Sequence, residues 1–151
     1  MLRDQLNATD PFDLNRFLAA QEGTYAAALA ELRNGRKQTH WMWFVFPQIA
    51  GLGSSPLAKR YAIKTWEEAR QYLRYPVLGA RLRECAAALL ELQGKTISEI
   101  TGYPDDLKLK SSMTLFAVLD EPGSVFVRVL DRYFKGEQDM QTLHLLEHLD
   151  Q

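Results

Sequence analysis

Helix-start and helix-stop signals recur along this chain at intervals too short for any long element. Asp10-Pro11 sets an N-cap residue before a proline at the first helical position, and Thr65 with Glu68, then Thr96 with Glu99, carry capping-box spacing. Stops fall at Asn34-Gly35, Pro47, Pro76, Gly94, Gly102, Pro122-Gly123 and Gly136. Between them apolar residues recur at helical spacing. Leu14, Leu18, Gln21, Tyr25, Ala28, Leu29 and Leu32 predict one first helix of about six turns. Thr39 is expected to cap a short helix through the aromatic run His40 to Phe46, and Pro56 to restart the chain after the loop Gly51 to Ser55. Helices are further predicted over 66–74 and 77–92, for one turn before Gly102, from Pro104 to about Leu119, up to Gly136, and from an Asp139 cap through Leu149. In the helix after Pro104, Leu107, Lys108, Ser111, Ser112 and Leu115 are expected to share one side.

Two stretches also fit strands: Val125, Val127 and Val129 alternate, and Phe44 to Ile49 is a β-prone run. Two isolated strands would leave unpaired edges, whereas short helices satisfy their own backbone. The fold class is therefore all-α: an irregular single-domain bundle over residues 1–151, with about seven or eight short helices.

The longest uncharged stretch, Gln38 to Ala58, is interrupted by His40, Pro47, Gln48, two glycines and two serines, so no membrane span is expected. Met1 to Pro11 lacks the apolar centre of a signal peptide, which makes a cytoplasmic location the expectation. One cysteine, Cys85, and three histidines exclude the multi-cysteine zinc arrangements, and Cys85 among Leu82, Ala86 and Leu89 reads as a buried packing thiol. His144 and His148 stand four apart, a spacing that can ligate zinc, but no third ligand is evident and the H-E-x-x-H order is absent. Neither a metal nor a cofactor is expected.

Charge is segregated. From Arg33 to Arg83 ten basic residues face only Glu67 and Glu68, for +8, while the N-terminal 32 residues carry −3 and the remainder −6. All three tryptophans and Tyr61, Tyr72 and Tyr75 lie in the basic part. Cations interleaved with flat rings suit a ligand with both phosphate and a base. Equally, the acidic flanks can fold onto the basic middle and neutralise it.

Two stretches are candidates for chemistry. Thr39-His40-Trp41-Met42-Trp43-Phe44-Val45-Phe46-Pro47-Gln48 places four large aromatics in six residues, which surround a helix and so read first as core. His40 and Gln48 bracket the run with polar groups, and the glycines that follow can offer backbone amides to an anion. Since Thr39 supplies the capping oxygen, His40 is expected to serve a network or a ligand. In the second stretch, Lys108 with Ser112 and Lys110 with Thr114 set a cation beside a hydroxyl; the plainer alternative is that the hydroxyls bond back within the helix. Gln21, Glu22 and Tyr25 lie near the apolar side of the first helix, where a desolvated carboxylate can act as a base.

These residues carry a family resemblance. The segment Arg16 to Gln21 with Tyr25, the His40 to Gln48 run with Gly51-Leu52-Gly53, Tyr72-Leu73, Pro76 to Gly79, and Lys108 with Ser111 to Phe116 resemble the domain of unknown function 1810 family over about residues 12–135. Its members are sometimes labelled calpastatin-like. The resemblance implies an all-helical fold and carries over no catalytic residues. Calpain inhibitors of the calpastatin type are disordered repetitive chains, so that label does not fit a compact, hydrophobic one.

Two functions follow as expectations. In the first, a pocket binds a phosphorylated, base-containing small molecule: Trp41 or Trp43 stacks, His40 and Gln48 orient, and Lys108, Ser111 and Ser112 take the anion. Any chemistry there would be hydrolysis or transfer by general acid and base, with no catalytic residue assigned. In the second, the chain is a non-catalytic module whose basic middle meets an acidic protein or nucleic acid, the less favoured partner. Convergence of the two polar stretches on one pocket supports the first; a flat basic face with both stretches buried and satisfied supports the second.

Overall fold

The computed structural model describes residues 10–149; the expectation for Met1 to Thr9, and the domain boundaries at both ends, lie outside them. Among the described residues there are ten helices and no strand, so the all-α reading holds with more helices than expected. In chain order they are α1 Asn15–Gln21, α2 Tyr25–Arg33, α3 Met42–Val45, α4 Pro56–Arg60, α5 Trp66–Arg74, α6 Pro76–Glu91, α7 Ile97–Thr101, α8 Asp105–Leu119, α9 Val125–Phe134 and α10 Met140–Glu147. None is long and apolar enough to cross a membrane.

Most boundaries fall where the local chemistry dictates. Ser55 accepts from the Ala58 amide ahead of Pro56, Thr65 from that of Glu68, and Asp139 from that of Thr142. Thr96 and Glu99 form the full reciprocal box. The expected six-turn first helix is the main correction. Gly23, at φ +76°, breaks it into α1 and α2, with Glu22 extended between them. The halves have different neighbours: α1 packs on α3 and α2 on α6, so the break re-aims the chain. The expected start is corrected too: Pro11 lies in a turn, α1 begins at Asn15 with Leu14 as its N-cap, and Asp10 accepts from the Leu14 and Asn15 amides at 2.8 Å each from outside the helix.

The two longest helices, α6 and α8, organise the core, and α9 packs across both. In α8 six consecutive residues, Ser111 to Phe116, are buried, because α3, α5, α7, α9 and α10 surround it. The expected single stripe is therefore absent, and Leu107 on that side is exposed. Of the two candidate strands, Val125 to Val129 is helical, and Phe44 to Ile49 yields only a parallel bridge between Ile49 and Ile63. Cys85 is fully buried as expected, and burial pushes its thiol up to about 12.

Candidate functional site

The aromatic run is anchored by a carboxylate that precedes it. Glu31, on α2, accepts from the amides of Gln38 and Thr39, from the Thr39 hydroxyl at 2.6 Å and from the Trp41 indole N–H at 2.9 Å. Partial burial alone would raise its pKa, but the four donors outweigh it and hold the carboxyl at about 2. The Thr39 hydroxyl is thus spent on Glu31 and caps nothing; Trp41 stands at the N-cap of α3 without a side-chain cap. Trp41, Met42, Val45 and Phe46 are buried in the core, and Trp43 is half-buried. His40 projects to the surface with no hydrogen bond among the described residues.

Lys37, just ahead of the aromatic run, reaches the start of α8. Its ammonium lies 2.9 Å from Asp105 at the start of α8, donates to the Thr39 carbonyl and sits over the Trp41 ring. Lys108 lies 3.6 Å from the other oxygen of Asp105 and 5.4 Å over the Trp43 ring. The hydroxyls further along α8 are spent within the fold. Ser111 donates to the Leu107 carbonyl and to Asp139, which also accepts from Thr142, while Thr114 donates to the Lys110 carbonyl and accepts from the Asp139 amide. These hydroxyls dock α10 onto α8. Ser112 is completely buried, and its hydroxyl alone among the described buried side chains lacks a partner.

The Tyr25 region is likewise closed. Its hydroxyl donates to Glu84, and burial together with that bond raises its pKa well above the usual value. Gln21 is buried between the Phe44 carbonyl, Tyr72 and Arg81, whereas Glu22 is exposed and so lacks the desolvation a catalytic base needs.

Gln48 belongs elsewhere. After Pro47 the chain runs beside the segment 61–64, with the Ile63 amide on the Gln48 carbonyl and the Ala50 amide on the Ile63 carbonyl. Gly51, at φ +104°, then turns the loop back over α4, where a Cβ on Gly53 would lie 2.5 Å from that of Ala58. Only glycine allows this approach. The result is a cavity of about 170 Å³ lined by Gln48, Gly51, Gly53, Lys59 and Lys64, with no acidic residue in its wall. Neither glycine amide bonds to an acceptor among the described residues. Behind the same segment is a second cavity, of about 450 Å³, bounded by Arg16, Arg60, Lys64 and Glu68.

Arg16 holds that segment in place. Its guanidinium donates to the carbonyls of Arg60 and Ala62, to those of Phe12 and Asp13, and to Glu68 at 2.7 Å, with both partners of the ion pair buried. The other Glu68 oxygen accepts from the Lys64 amide at 2.8 Å. The buried pair therefore fixes the backbone that presents Arg60 and Lys64.

A family profile described as Protein of unknown function (DUF1810) matches residues 11–146. The chain belongs to the DUF1810 family. It is similar to the crystal structure of the conserved hypothetical protein Rv1873 from Mycobacterium tuberculosis, with 54% identity over 91% of this chain and 99% of that one and a TM-score of 0.89. No curated protein matches.

In this DUF1810 chain the expected site residues divide into three sets. Trp43 and Lys108 touch where α3 meets α8; Trp41, Ser111 and Ser112 are buried, with Ser111 turned to Asp139; and of the remaining two His40 stands on the surface while Gln48 lines the cavity. That cavity includes neither Trp41 nor Ser112. The residues that sequence reasoning passed over are Lys59, Lys64 and the Arg16–Glu68 bracket. The basic block was the signal for the lysines. Within it Arg33, Lys37 and Arg83 pair with Glu84, Asp105 and Asp120 of the acidic C-terminal part, and Arg70 with Glu67; among the described residues Arg36, Lys59, Arg60, Lys64, Arg74 and Arg81 pair with no carboxylate, and of these Lys59 and Lys64 line the cavity.

Proposed function

We propose that this DUF1810 protein binds a small oxyanion, either free phosphate or the terminal phosphoryl group of a metabolite, in the cavity between the Gly51–Gly53 loop and the 61–64 segment. The observation that carries this reading is that two lysines without carboxylate partners, with Gln48, line a wall that holds no acid. Volume limits the ligand: about 170 Å³ lies below the roughly 300–1,000 Å³ of a pocket that encloses a whole metabolite. A base, if the ligand has one, stays outside, since Trp41 is buried with its indole N–H committed and Trp43 lies under Lys108.

Recognition rests on charge and backbone geometry rather than on catalysis, and a cytoplasmic setting, where phosphorylated small molecules abound, suits it. Titration calorimetry with inorganic phosphate, pyrophosphate and a nucleoside monophosphate tests the reading. Pyrophosphate is expected to bind, more weakly as salt is raised, and the nucleoside to add little over phosphate alone. Equal binding by wild type and by Lys59→Ala/Lys64→Ala would reject it.

A further inference from the structure

The histidine pair near the C-terminus is used by nothing described above. His144 and His148 lie on α10 and at its C-cap, their rings edge-to-face with centroids 4.7 Å apart. The structure adds a neighbour that the sequence reading left out: Glu147, one residue before His148, turns to the same side of the last turn. One donor atom from each of the three lies within 4.8 Å of the other two, and among the described residues this is the group of His, Cys, Asp or Glu side chains that so converges. We propose that His144, Glu147 and His148 form a surface site for a divalent first-row transition ion of the zinc type.

Donor chemistry selects the ion. Two imidazoles and one carboxylate suit zinc, copper or nickel, whereas magnesium and calcium require oxygen donors in larger number. Bonds of about 2.0–2.2 Å draw tetrahedral donors closer together than they stand in the free protein. All three side chains are exposed, so rotation about their own bonds closes the gap without moving the backbone. None of them hydrogen-bonds within the described residues, so binding costs the fold no existing contact. A cation at this position also meets the partial negative charge of the last helical carbonyls.

The scaffold is fixed on its other faces. Asp139 caps α10 and is held by Ser111 and Thr142, Leu146 is buried, its carbonyl accepts from the Trp66 indole at 3.2 Å, and Leu145 packs beside Gly51. The helix thus presents the three donors from a rigid base. Three protein ligands leave a fourth position open to water or an outside donor.

The test is a Zn²⁺ titration of the full chain followed by histidine ring resonances in NMR and by calorimetry. The sequence has three histidines, so His40 serves as an internal reference. The site predicts that the His144 and His148 rings shift together to a plateau at one ion per chain while that of His40 stays in place, and that excess Mg²⁺ does not reverse the shift. Replacing a ligand, in His148→Ala or Glu147→Gln, is expected to weaken binding by at least about tenfold, the loss already seen when an outer-shell partner of a metal ligand is removed. All three rings shifting alike, or neither α10 ring shifting, overturns the site. Wild-type affinity in Glu147→Gln overturns the three-ligand assignment.

Discussion

Two regions of this protein are rich in polar side chains, and they use them in opposite ways. Around α3 and α8 the polar side chains are spent within the fold: Glu31 accepts from Thr39 and Trp41, Lys37 pairs with Asp105, and Ser111 and Thr114 bond to Asp139 and to α8 carbonyls. Between the Gly51 loop and the 61–64 segment, the backbone is equally well fixed, but the cations Lys59 and Lys64 face a cavity without an acidic partner. The first region is closed and architectural; the second keeps capacity for something outside the chain. An unusual run of residues therefore need not mark a binding site. What distinguishes a site is hydrogen-bonding or charge capacity that the fold leaves unspent.

The largest expected effect comes from the element that supports the open region. Arg16→Ala leaves Glu68 buried without its partner and releases the carbonyls of Arg60 and Ala62, so a loss of about 3–5 kcal/mol is expected in denaturant unfolding, together with the loss of anion binding. A loss below about 1 kcal/mol would mean that water already solvates the pair.

Next is the closed region's hub. Glu31→Gln replaces one acceptor oxygen by a donor and is expected to cost about 1–3 kcal/mol. Acid sharpens the prediction. The Glu31 carboxyl lies near 2 in the folded protein against an ordinary 4.5, so its contribution is complete above about 4.5 and disappears as pH falls through about 2. The melting-temperature gap between wild type and Glu31→Gln should therefore be constant near neutrality and close over that acid window. A gap that persists at the acid end would show that Glu31 acts by packing rather than by charge.

A smaller change of opposite sign is expected from Ser112→Ala. Removing a buried hydroxyl that lacks a partner relieves its desolvation cost, and stability should rise by up to about 1 kcal/mol. A clear loss would place an undetected partner on that hydroxyl and reopen the α8 stretch as a site. The least effect on stability, within about 0.5 kcal/mol, is expected from Lys59→Ala and Lys64→Ala, since both side chains are exposed.

The caps at Thr65, Thr96 and Asp139 were legible because each is a local event within four residues. The break at Gly23 was not: Leu14 to Leu32 keep one helical phase, and the reason to turn is that α1 and α2 pack on different helices. Thr39 was misread on the same principle, as its hydroxyl goes to Glu31, eight residues back, and not to the helix it precedes. Of the candidate site, the basic block and the glycine loop were visible. Which cations remained free was not, since Lys37 and Arg83 find Asp105 and Asp120 only after the chain has folded. The Lys108 and Ser112 pair illustrates the limit of spacing: they stand four apart as read, yet one lies over Trp43 and the other is sealed in the core.

The contrast between a closed and an open polar region is tested most directly by melting temperature with and without pyrophosphate in two variants. Glu31→Gln should melt well below wild type yet keep the full rise on adding pyrophosphate, whereas Lys59→Ala/Lys64→Ala should melt like wild type and show no rise. The reverse pattern, with the ligand response lost in Glu31→Gln and retained in the double lysine variant, would contradict the account.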